Sequence, residues 1–155
     1  MQAQRLCSQK EKINEQFNTQ LYNFLDWCGK TFTWIKDFHM FRDVAWGYTK
    51  LFRHKLITNW YSHVNAHYKK QILTNDKQFF LDLNKDQLMK NVTNQDARKM
   101  LEEFDFDKVL HFKELFGSPN FNQKHENKIF TTMQILNKLS EKFHDINEQL
   151  EKMAF

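Results

Sequence analysis

The chain has 155 residues, 41% of them apolar, with 16 Phe, 4 Trp and 4 Tyr but only 3 Gly and 1 Pro. That length suits one domain, which buries roughly 70% of its unfolded surface without help from a metal or a disulfide; so few turn formers exclude a hairpin-rich sheet. The net charge of +4 and the two cysteines set aside a secreted disulfide scaffold, and both thiols are expected to be reduced.

The opening Met1-Gln2-Ala3-Gln4-Arg5 is polar and does not read as a leader. No apolar run approaches the roughly 18–20 residues that span a bilayer, so the expected location is intracellular. Ser8 followed by Glu11 has the form of a capping box. From there Ile13, Phe17, Leu21, Phe24 and Cys28 make one helical stripe, with Gly29 at the expected stop. A second stripe runs Trp34, Phe38, Phe41, Val44, Tyr48 and Leu51. A third runs Leu56, Trp60, Val64, Tyr68 and Ile72 and ends near Asn75, after which Asp76 caps a short helical turn through Leu81.

The middle offers weaker starts at Thr93, with Asp96, and at Asp105. Gly117-Ser118-Pro119 marks a loop. Beyond it, from about Gln123 to Met153, Leu136, Leu139, Phe143, Ile146, Leu150 and Met153 alternate three and four apart as a heptad seam. The prediction is an all-α single-domain bundle over 1–155. It has five or more helices, a frayed segment 1–7, a main loop near 117–122 and its longest helix at the C-terminal end.

Residues 1–75 carry 11 Lys/Arg against 5 Asp/Glu, and residues 76–155 carry 12 against 14. From Val44 to Asn75 there is no acidic residue, while Lys50, Arg53, His54, Lys55, Lys69 and Lys70 are all present, interleaved with Trp46, Tyr48, Phe52, Trp60, Tyr61 and Tyr68. Cations beside stacking aromatics are what nucleic-acid surfaces use, and this window 44–75 is the candidate contact patch. A solvated basic face or a dock for an acidic protein is the alternative, and Lys outnumbering Arg 19 to 4 weakens phosphate recognition.

Catalytic chemistry finds little support. His63 and His67 are spaced to share a helix face, but Val64 stands where a zinc-protease motif needs Glu. Glu102, Glu103, Asp105, Asp107 and Glu114 alternate with Phe104, Phe106 and Val109 as a solvated helix face would. The three glycines are isolated, so no phosphate loop is present. The expectation is a non-enzyme with no cofactor and no metal, which self-associates or binds a protein through its C-terminal seam; weak nucleic-acid binding is the second expectation.

Three stretches together resemble small, uncharacterised helical proteins of nucleocytoplasmic large DNA viruses, the giant viruses of protists and algae. They are Phe17-x3-Leu21-x2-Phe24-Leu25 with Phe38-x2-Phe41; Val64-x3-Tyr68-x3-Ile72 with Asp76-x2-Phe79-Phe80-Leu81; and Phe112-Lys113-Glu114-Leu115 with Asn127-Lys128-Ile129-Phe130 and Gln134-Ile135-Leu136. The resemblance implies a location in the virion or in a virus factory of the host cytoplasm. It implies no activity.

Overall fold

The computed structural model describes residues 2–35, 37–82, 115–117 and 120–154. Among them the chain is helical, with no strand. The elements are α1 (Gln2–Thr31), α2 (Asp37–Leu51), α3 (Lys55–Trp60), a π-helical turn (Tyr61–Asn65), α4 (Ala66–Leu73), α5 (Lys77–Asp82) and α6 (Gln123–Met153). The backbone stays right-handed helical through Trp60, Tyr61, Asn65 and Ala66, so α3, the π turn and α4 form one rod.

Cross-helix contacts fix the direction of each rod. Arg42 reaches Asp26 at 2.6 Å, the rings of Tyr22 and Trp46 lie 5.3 Å apart, and His39 covers Gly29; α2 therefore folds back antiparallel on α1. Asn14 donates to the carbonyl of Arg53, and the rings of Phe17 and Trp60 lie 6.0 Å apart, so the α3–α4 rod runs parallel to α1. Helix α6 opposes both: Lys10 lies over Phe143 and Lys128 over Trp27, while Trp60 meets Asn137 and Ile72 meets Gln134. The result is an up-down-up-down order of rods, the usual solution when amphipathic helices must cover one another's apolar stripes.

The core centres on Phe17, Phe41, Leu56, Ile57, Leu136 and Phe143. A second cluster joins Tyr68, Ile72 and Phe80 to Phe116, Ile129, Phe130 and Met133, and a third gathers Cys28, Phe32, Ile35, Phe38 and Leu115 near the α1–α2 turn. Along the apolar stripes and the seam, Phe17, Phe38, Phe41, Leu136 and Phe143 are buried, while Phe24, Trp60, Val64 and Leu139 are partly so.

Several local expectations change. Helix α1 extends back to Gln2, so Ser8 lies inside it and the expected fraying over 1–7 gives way to helix from the second residue. Gly29 is not a left-handed stop. It sits in the last turns of α1, where an added Cβ would lie 2.7 Å from the His39 ring, so close helix packing explains it. The second stripe divides: Phe38, Phe41 and Ala45 are buried with Tyr48 partly so, whereas Trp34, Val44 and Leu51 are exposed.

Other boundaries agree. Asn75, at φ 53°, ends α4 in the left-handed conformation. Asp76 accepts from the Phe79 amide as the cap of α5. Helix α6 begins at Gln123, capped by Asn122, whose side chain accepts from the His125 amide. The starts predicted at Thr93 and Asp105 lie outside the described residues.

Candidate interaction surfaces

The C-terminal seam is the first candidate. Leu136 and Phe143 are fully buried, Ile146 is buried, and Leu139 packs against the same cluster, opposite Ile13 and Phe17 of α1. The Lys10 ammonium sits 5.3 Å above the Phe143 ring, and His54 meets that ring edge-on at the same separation. The heptad pattern thus encodes a helix–helix interface whose partners are α1 and the α3–α4 rod of the same chain. Toward the end of α6, Leu150 is half-buried and Met153 exposed.

The basic window is the second candidate, and the fold supplies the carboxylates that its sequence lacks. Glu11 of α1 pairs with Arg53 at 2.9 Å and with His54 at 2.8 Å. Glu141 of α6 pairs with Lys69 at 2.6 Å, and that hydrogen bond raises the Lys69 pKa above its ordinary value. Lys55 is half-buried. Lys50 and Lys70 are exposed and make no ion pair among the described residues.

The aromatics of the window also separate. The Trp60 indole donates to Asn137 at 2.7 Å and Tyr68 is buried, so both serve the core. Tyr61 stacks on His144 with ring centroids 4.1 Å apart. Trp46 and Phe52 stay exposed, flanking Lys50 and Arg53 at the α2–α3 corner.

His63 is half-buried; burial lowers its pKa and the neighbouring His67 lowers it further. Its Nδ1 is buried without a hydrogen-bond partner among the described residues. No group of three or more His, Cys, Asp or Glu side chains with metal-binding geometry occurs among the described residues. Burial pushes the Cys28 thiol well above its ordinary range, which suppresses the thiolate, while Cys7 is exposed. The acidic group Glu102, Glu103, Asp105, Asp107 and Glu114 lies outside the described residues.

The surface that the sequence reading missed is the outer face of α2. At 100° per residue Met40, Val44, Gly47 and Leu51 fall within about 60° of one another. Met40, Val44 and Leu51 are 47, 41 and 78% exposed, and Gly47 has nothing within 4 Å of where a Cβ would be. The signal lies in the sequence as a second apolar line on α2, but spacing alone groups Val44 and Leu51 with the core line.

Fold and surface together define an all-α bundle in which, among the described residues, the outer face of α2, apolar with a basic end, is turned toward solvent. No helix among the described residues is long and apolar enough to cross a membrane. Comparison with protein-family models, with curated proteins and with solved structures finds no match for this chain.

Proposed function

We propose that this chain is a non-enzymatic helical interaction protein whose contact surface is the outer face of α2. The observation that carries the reading is the exposed line of Met40, Val44 and Leu51 on a helix whose other side already fills the core. An exposed contiguous apolar patch is a common mark of an interaction site. The C-terminal seam is a poorer candidate, because its apolar positions as far as Ile146 pack within the chain. The resemblance to proteins of large DNA viruses supplies the setting: a minor component of the virion or of a cytoplasmic virus factory.

The test is recovery of the tagged chain from its native source, with associated proteins identified by mass spectrometry, beside the variant Val44→Glu. Val44 faces solvent while Phe41 and Ala45 hold α2 to the core, so the substitution leaves the fold in place. The expected result is a protein partner retained by the wild type and lost by the variant. Identical partner sets for both would contradict the reading.

The exposed Trp46 and Phe52 beside Lys50 and Arg53 favour a second reading, as a nucleic-acid-binding accessory protein. That reading expects weak, sequence-independent binding to DNA or RNA, gone by about 0.2 M salt because few phosphates are contacted, and abolished by Lys50→Glu. Binding that survives that salt would place the second reading first.

A further inference from the structure

We infer that the occupant of the α2 face is a second copy of this chain, packed antiparallel through α2 about a two-fold axis midway between Val44 and Gly47. The inference rests on the reading of that face as the contact surface and adds the identity of the partner. Three observations carry it.

Gly47 is the first. A glycine inside a helix weakens it relative to alanine, and among the described residues an added Cβ here would meet nothing within 4 Å, so no contact among them accounts for it. A glycine in the middle of an exposed apolar line does let another helix approach closely. Placing Val44 of each copy over Gly47 of the other brings Met40 of each opposite Leu51 of the other, and all four positions are then covered.

The second observation is charge. Asp43 and Lys50 are two helical turns apart and flank the apolar line on the same side. Asp43 is exposed and held only by the adjacent Arg42, at 3.1 Å, among the described residues; Lys50 makes no ion pair among them. In antiparallel packing, flanks on the same side of each helix meet, so Asp43 of each copy faces Lys50 of the other and the pair forms twice.

The third observation excludes the parallel arrangement. Parallel packing would set this flank against the opposite one, where Phe41 is buried and Tyr48 packs against the core. One short helix face covers less than the roughly 800 Å² per partner of a standard interface, so the dimer should be weak, with a Kd in the micromolar range.

The test is sedimentation equilibrium of the purified full chain from about 1 μM to about 1 mM, the range in which such a Kd is read. The wild type should pass from monomer to dimer. Gly47→Gln, which keeps the helix but blocks close approach, should remain monomeric with an unchanged circular dichroism spectrum. Asp43→Lys and Lys50→Asp should each weaken the dimer by about tenfold, since two ion pairs become two repulsions, and the double exchange should restore it to near wild type. A wild type that stays monomeric to about 1 mM overturns the second copy as occupant; the recovery experiment, in which the untagged native copy, told from the tagged chain by its mass, counts as a partner, separately decides through Val44→Glu whether the α2 face is used at all. A dimer indifferent to Gly47→Gln, or single charge reversals that the double exchange does not rescue, would also overturn the inference.

Discussion

At the scale of single residues, two polar groups inside the bundle decide the most. The indole N–H of the half-buried Trp60 donates to Asn137, itself buried on α6. Replacing Asn137 with Leu keeps the volume close but strands the indole N–H, which should cost about 1–3 kcal/mol, read as a lowered urea midpoint at unchanged slope. His63 carries a second prediction. Because burial, and then His67, lower its folded pKa below the ordinary 6.5, the unfolded chain takes up the proton first as pH falls. The stabilising contribution of neutral His63 is therefore complete above about pH 6.5 and drains as the pH drops from there toward the lowered folded value. The thermal midpoint should fall more steeply between pH 7.5 and 5.5 for the wild type than for His63→Gln. Equal slopes would mean that the ring is as well hydrated in the fold as outside it.

At the scale of elements, the long regular helices were legible and the phase of α2 was not. Helix α6 follows the Gly117-Ser118-Pro119 breaker and carries one heptad seam from Leu136 to Met153, so its start near Gln123 and its end at Met153 could be read directly. The second helix has apolar residues on two sides, and one-dimensional spacing cannot say which side meets the core; only docking against α1, through the Arg42–Asp26 pair and the His39–Gly29 approach, resolves it. The π turn left no sequence signature either. Its effect is a five-residue step from Trp60 to the buried Asn65, which inserts one residue into the line that continues through Tyr68 and Ile72. Deleting the exposed Ser62 should accordingly turn this segment into ordinary α-helix and keep Tyr68 and Ile72 in register with Leu56. Deleting Lys70 should rotate Ile72 about 100° away from the core and lower the thermal midpoint far more. Two deletions with the same cost would show that the π turn does not set the register.

At the scale of the whole molecule, the ion pairs explain why the basic window looked more open in sequence than it is. Glu11 and Glu141 are distant in the chain from the cations that they neutralise, so no local reading of charge could place them. The same folding consumes most of the C-terminal seam and leaves the outer face of α2 as an apolar line that meets solvent among the described residues. Methionines report on both surfaces: Met40 lies on α2, Met153 at the end of the seam, and Met133 in the core. The most direct measurement is therefore methionine oxidation, followed by mass spectrometry, of the purified chain at low and at high protein concentration. The account predicts that Met40 and Met153 oxidise fast and Met133 slowly in dilute solution, and that raising the concentration protects Met40 and leaves Met153 unchanged. Protection of Met153 with Met40 unchanged would place the contact surface on the C-terminal seam and contradict the account.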